Sequence, residues 1–395
     1  IAFFEEGQNV ESLSHQWGFE TSDIEQLGPH EFFIPGMVDT HIHASQYIFS
    51  GTHLDLPLLD WLKTYTFPVE LCYEDLDFAK DAYTKVVKRT LSNGTTTACY
   101  FATIHTDASL LLGQIADDFG QRALIGKVCM DRNSMVPDYK ELTEGCKDEM
   151  DRFVHELLKK KYALVKPVVT PRFAISCSSS LLSNLGKIAK NYDLHIQSHI
   201  SENKQEVQFV KELFTDCTSY TDVYVKHGLL TDKFSVANWE RFWVMWRVIS
   251  TRLISGMLNV RNVLKHKVKL GLGTDVAGGY SSSMLDAIRR AVDTSKALCM
   301  QDTRLQPLSY KEAFRLATLG GSEVLSLDDC IGNFEVGKDF DALHVNICVP
   351  GSPIDLFPGD DPEVILEKFL NLGDDRNIVK VYVAGKQVVP FHDSK

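Results

Sequence analysis

At 395 residues the chain is too long for one small core and suits a large α/β unit with an appendage, and its 44% apolar and 24% charged residues exclude a disordered or fibrous protein. A formal net charge of −12 with no basic stripe argues against a nucleic-acid backbone as partner. No apolar run approaches the ~18 residues that would span a bilayer, which argues against a membrane helix.

Nine cysteines, at positions 72, 99, 129, 146, 177, 217, 299, 330 and 348, are odd in number and scattered, with no C-x-x-C pair. They read as free, mostly buried thiols in a reducing compartment, so a cytosolic protein is expected.

The chain opens on Ile1-Ala2-Phe3-Phe4, which reads as the middle of a strand with an N-terminal piece before it and no signal peptide, and continues polar and acidic to position 31. The apolar run from Phe32 to Val38, broken at Pro35-Gly36, then leads into Asp39, Thr40, His41, Ile42 and His43. This predicts the exit of a buried strand, on which side chains two positions apart share a face. His41 and His43 can therefore reach one metal ion from a rigid backbone, although H-x-H by itself is a weak signal. A loop over 47–61 carries Tyr47, Phe49, Leu54, Leu56, Leu58, Leu59 and Trp61, apolar enough to fold over either the core or a ligand.

From residue 74 helices and strands alternate. A helix stops at Gly94 and is followed by a strand over 95–103, a helix around 107–119, a strand over 123–130, a helix around 141–160 and a strand over 164–173. A helix around 180–190 leads to a strand over 194–200, and Asn203-x-x-Glu206 predicts a capping box opening another helix. A strand over 268–276 and helices over 283–298 and 311–319 follow. Short apolar strands alternating with helices predict a parallel sheet covered on both faces, and their number predicts a (β/α)8 TIM-like barrel that works at its strand C-termini. Residues 331–395 read as β-rich, with glycine turns at 332, 337 and 385. The expected organisation is a barrel over 34–331 and a small β-sandwich module built from 1–33 plus 332–395.

At the predicted strand ends stand His199-Ile200-Ser201-Glu202 and Thr274-Asp275. With His41 and His43 they supply three imidazoles and one carboxylate, a nitrogen and oxygen set suited to zinc, with iron or manganese as alternatives. Each has a plainer reading alone: His199 as a satisfied core histidine, Asp275 as a helix N-cap, Glu202 as an acid favoured by a helix dipole. Arg172 offers a fork for a carbonyl or ring nitrogen, Phe173 a stacking face, and Gln46 an amide that donates and accepts across a heterocycle edge.

The strings PGMVDTHIH, HISEN, GTDVAGG, and FRLATLGGSEVLSL followed by GNFEVGKDFDAL together resemble the metal-dependent amidohydrolase superfamily. The more particular NGTTTACYFATIHTD, VTPRF, LHIQSHISEN, SPIDLF and FLNLGDDRNI are similar to its guanine-deaminating animal members, over nearly the whole chain apart from about 234–255. The resemblance implies a zinc enzyme, one ion per subunit, that converts guanine and water to xanthine and ammonia in purine catabolism, as a homodimer. It implies His41, His43, His199 and Asp275 as metal ligands, and Gln46, Arg172, Phe173 and Glu202 as purine-contacting or proton-shuttling residues. Asp275 would take a proton from water and Glu202 would give one to ring N3. Two competing expectations are a weak or inactive relative that binds a purine or a protein partner, and an amidohydrolase for another aminated heterocycle. Arg172 and Gln46 suit an oxo edge better than an amino edge.

In one segment the chain departs from the resemblance. Asn238 stands where the family carries a histidine in a motif of the form M-A-H-G, and asparagine can hydrogen-bond but cannot carry a proton. Only 30 positions separate Asn238 from Val268, short for a crossover helix, a seventh barrel strand and a further helix. Trp239, Trp243 and Trp246 crowd into this segment, as a core-facing stripe or, the reading preferred here, as the mark of a stretch altered relative to the family.

Overall fold

The computed structural model describes residues 1–2, 10–202, 204–237 and 257–391. Its strands are β1 Glu31–Pro35, β2 Met37–His43, β3 Thr95–Phe101, β4 Arg122–Gly126, β5 Val128–Cys129, β6 Val165–Pro171, β7 His195–His199, β8 Phe234–Ala237, β9 Ala342–Asn346, β10 Ile378–Val383 and β11 Lys386–Val389. Strands β2-β3-β4-β6-β7-β8 pair in parallel in that order, with β5 beside β6, and the sheet curls into a half-barrel. Every residue of β2, β3 and β4 is buried, as a parallel sheet with covered faces requires. The helices between them form the cover. Leu76–Ser92, capped by the Asp75 carboxylate accepting from the Asp77 and Phe78 N–H groups, buries Ala79, Ala82, Tyr83, Val86, Val87 and Leu91 at helical spacing. Gly94, at φ +83°, then turns the chain into β3.

The predicted strand over 268–276 is not one. Its residues run beside β2 with few ladder bonds: Thr40 N–H donates to Leu272 O at 3.1 Å and Asp275 N–H to His41 O at 2.8 Å. Glycines at 271 and 273 give this stretch its close approach to β2, where any side chain would collide with Thr40 or His41. Among the described residues the parallel sheet forms a curled half-barrel. Asn203, Asn238 and the three tryptophans of the departing segment lie outside the described residues, so the expectations about them do too.

The two ends of the chain do meet. Strand β1 pairs antiparallel with β9, Glu31 opposite Asn346 and Pro35 opposite Ala342, in the order β1-β9-β10-β11. Among the described residues this is a single sheet, where the sequence suggests a sandwich. A helix unforeseen in the β-rich reading, Pro362–Leu372, separates β9 from β10, with proline at its start and Asp361 capping the Val364 N–H. The end of the expected loop, Leu58–Trp61, is instead helical, and the helical run continues through Leu62–Thr66 and Phe67–Leu71, for which the sequence offered no assignment. No described helix is long and apolar enough to cross a membrane, and all nine cysteines are free.

Candidate metal centre

Strand β2 ends on His43 and strand β7 on His199, so both imidazoles leave the sheet at its C-terminal edge. Asp275 arrives on the irregular stretch beside β2. Its φ of +51° is a left-handed backbone, which aspartate tolerates better than most residues, and it bends the chain back over the edge. One ligand atom from each of His41, His43, His199 and Asp275 lies within 4.8 Å of the others, and all four residues are buried. His41 Nε2 is 3.2 Å from Asp275 Oδ1, His43 Nε2 is 3.8 Å from the same oxygen, and His43 Nε2 is 3.2 Å from His199 Nε2. Donors each ~2.0–2.2 Å from a tetrahedral ion stand about 3.3–3.5 Å apart, so this set fits one first-row cation.

The proton positions fit as well. His199 Nδ1 lies 2.7 Å from the backbone oxygen of Arg172. A carbonyl only accepts, so Nδ1 carries the hydrogen and Nε2 presents its lone pair to the cluster. Burial, then the neighbouring His41, hold His199 well below the usual imidazole pKa, which keeps it in the neutral form that ligates.

Two neighbours shape this group. Phe101, at the end of β3, packs its ring centroid 4.7 to 4.9 Å from those of His43, His199 and His41 and so floors the cluster. Asp39 accepts from Thr274 Oγ1 at 2.6 Å, Thr274 N–H at 3.0 Å and His41 N–H at 3.2 Å, tying β2 to the stretch that carries Asp275. Complete burial pushes the Asp39 carboxyl up to about 7 even against those hydrogen bonds.

Above the cluster opens a small pocket. His43, His199 and Asp275 form its floor side, while Gln46, Arg172, Phe173 and Glu202 stand around it and Leu58, Trp61 and Leu62 close it from the helical segment. Seven of the eight residues singled out in the sequence thus line one pocket, and His41 is buried beneath it. The apolar stretch expected to fold over core or ligand puts Phe49, Leu58 and Trp61 in the core, and Leu58 and Trp61 also line the pocket. Arg172 is more engaged than its sequence suggests, since Glu70 takes Nη1 at 2.6 Å and Nη2 at 3.3 Å. Glu70, Phe101 and Asp39 are the residues that sequence reasoning passes over. Asp39 could have been found, as an acid inside an otherwise apolar strand. Glu202 precedes the helix Lys204–Leu213 in the chain, and its N–H donates to Glu206 Oε2 at 2.6 Å.

Known proteins carry the same architecture. The model of the amidohydrolase family matches residues 32–388. The guanine deaminases of Rattus norvegicus and Homo sapiens are each 57% identical over 100% of this chain and 91% of their own length. With the rat protein the alignment runs over 412 positions against 395 residues here, so that relative has residues this chain lacks. The crystal structure of guanine deaminase from C. acetobutylicum, with guanine bound in its active site, superposes with a TM-score of 0.85 at 36% identity, covering 90% of this chain and 87% of that one. By matched length, identity and shared fold, this chain belongs to the amidohydrolase family, among the guanine deaminases.

Proposed function

We propose that this chain hydrolyses guanine to xanthine and ammonia, with zinc held by His41, His43, His199 and Asp275. The observation that carries the proposal is the convergence of those four donors beneath a pocket whose wall offers an amide, a guanidinium and a phenyl ring. Bound there, zinc would act as a Lewis acid that brings the pKa of a coordinated water toward ~7. The Asp275 carboxylate accepts the proton that water releases. Glu202, in its protonated form, delivers a proton to ring N3 as the water oxygen attacks C2; the exocyclic nitrogen then takes the proton held by Asp275 and departs as ammonia, while the new C2 hydroxyl returns a proton to Glu202 and becomes the oxo group. Arg172 and Gln46 present N–H donors to the oxo edge of the base, and Phe173 offers its ring face. The buried residues around the pocket keep bulk water from competing.

The same proposal includes the closure of the half-barrel into a (β/α)8 ring over 34–331, a second unit formed by 1–33 plus 332–395, a homodimer, and residence in the cytosol. Asn238, in place of the family's histidine, is proposed to slow turnover by roughly 10²–10⁴-fold, the usual effect of losing one orienting acid-base group. The test is to load purified protein with zinc and follow ammonia from guanine, adenine and cytosine, for this chain and for Asn238→His. Ammonia from guanine, faster in Asn238→His, is expected. Zinc and guanine binding with no ammonia from either protein would favour a binding protein, and preference for adenine or cytosine would overturn the substrate assignment.

A further inference from the structure

Behind Gln46 and Arg172, which line the pocket, lies a carboxylate to which the deamination chemistry gives no role. Glu70, on the helix Phe67–Leu71, is completely buried. Its Oε2 accepts from Arg172 Nη1 at 2.6 Å, and its Oε1 accepts from Arg172 Nη2 at 3.3 Å, Gln46 Nε2 at 3.2 Å and Ser45 Oγ at 3.4 Å. Phe67, one helical turn earlier, sets its ring 4.9 Å from Arg172 Cζ, so a single helix face holds the guanidinium from its edge and from its plane. On its other side Gln46 Oε1 accepts from Ala277 N–H at 3.2 Å. A carboxylate only accepts and a backbone N–H only donates, so these two contacts leave the Gln46 amide one orientation, nitrogen toward Glu70 and oxygen toward residue 277. Gln46 and Arg172 both line the pocket, with Tyr139 also beside the guanidinium, so the amide and the guanidinium are held as donors in one wall. Pairing with Glu70 also cancels the charge of Arg172, which suits an uncharged base better than an anion.

We propose that Glu70 is a positioning residue for substrate selection: through Arg172 and Gln46 it sets a rigid donor array that takes a base with oxo and ring-nitrogen acceptors and refuses one with an amino group at that edge. This deepens the guanine assignment and rests on it. Glu70→Ala would strand a buried guanidinium and is liable to unfold the chain, so the test uses Glu70→Gln, Arg172→Met and the double variant in the zinc-loaded full chain. Glu70→Gln should raise KM for guanine about 10- to 100-fold, the usual effect of losing a charge-assisted hydrogen bond, with kcat affected much less and zinc content unchanged. In the Arg172→Met background the same change should raise KM several-fold less, because Arg172, which takes both Glu70 oxygens, has gone and only the Gln46 contact remains. Equal losses in both backgrounds, or an unchanged KM in Glu70→Gln, would overturn the proposal. If the unaltered chain binds guanine without releasing xanthine, the deamination reading fails. Calorimetric Kd values for guanine in the same four proteins then replace KM and decide the role of Glu70 separately. A chain that binds no guanine at all would overturn both.

Discussion

Gly273→Ala is the substitution through which the geometry of the metal cluster can be tested without touching a ligand. A Cβ at position 273 would lie 2.9 Å from His41 N, 3.0 Å from His41 O and 3.1 Å from His41 Cβ. Ordinary contact begins near 3.4 Å, and the His41 backbone belongs to a strand buried along its whole length. The strand cannot give way, so alanine must push its own stretch outward by about 0.5 Å in a densely packed interior. Thr274 and Asp275 follow directly, and their hydrogen bonds to Asp39 and to His41 O must lengthen. A metal site tolerates only ~0.2 Å in each ligand distance, so the Asp275 carboxylate would be displaced beyond that limit. Expected are a stability loss of about 1–3 kcal/mol from overpacking and a zinc affinity lower by roughly 10- to 100-fold. Competition with a chelator measures the affinity, and denaturant titration of the metal-free protein measures the stability. Gly271→Ala is the control: its Cβ would meet Thr40 Cγ2 at 2.8 Å and Gly321 Cα at 2.9 Å, which should destabilise similarly while sparing more of the affinity. If Gly273→Ala keeps full affinity, the register of this stretch against β2 does not set the position of Asp275.

Phe101→Ala should destabilise by about 3–5 kcal/mol, as a fully buried phenylalanine does on truncation, and weaken zinc binding by unpacking three imidazoles; unchanged chelator competition would show the ring to be filler only. Zinc added to the metal-free protein should stabilise it by about 2.7 kcal/mol at a free concentration a hundred times its Kd, and Asp275→Asn should remove most of that gain in a thermal melt. The Arg261 guanidinium, hydrogen-bonded at 2.6 and 2.9 Å, holds the Glu312 carboxyl down at about 2 from an ordinary 4.5. A carboxylate with a depressed folded pKa contributes stability that is full above its unfolded pKa and lost as pH falls toward the folded one. With both groups partly exposed and screened, Glu312→Gln should cost about 1 kcal/mol at pH 7, and urea titrations should show the gap closing between about pH 5 and 2. A gap independent of pH would mean that the ion pair is not its source.

The legible parts of this molecule are those that repeat. His41 and His43 could be placed on one face because a strand alternates, and His199 because a short apolar run ended on it. Asp275 was found for a partly mistaken reason: its stretch has the composition of a strand but lacks the ladder, since Gly271 and Gly273 serve close approach to β2 rather than pairing. The stretch over 47–61 looked like a loop because its apolar residues are too dense to show a period, and 62–71 drew no assignment at all, with Pro57 and Pro68 suggesting breaks. In the fold Pro57 precedes the first helical turn, where a missing N–H does no harm, and Pro68 stands inside the continuous helical run, just after the piece Leu62–Thr66. Glu70 was invisible for a different reason: its partner Arg172 is 102 residues away, and no local pattern announces a long-range ion pair.

What these hidden residues supply is neutrality. With a divalent ion bound as proposed, the Asp275 carboxylate offsets part of its charge, and Glu70 offsets all of that of Arg172. The wall that meets the base then carries no net charge although it contains strong donors. An anionic ligand would gain little there, while a neutral heterocycle can meet every polar wall group without bringing an uncompensated charge into a buried site. The motif around the histidines accounts for catalytic power over amidine-like carbons in general. The choice of which base enters rests on a helix the motif does not include, so substitutions at Glu70 should alter selection among substrates while leaving the metal in place.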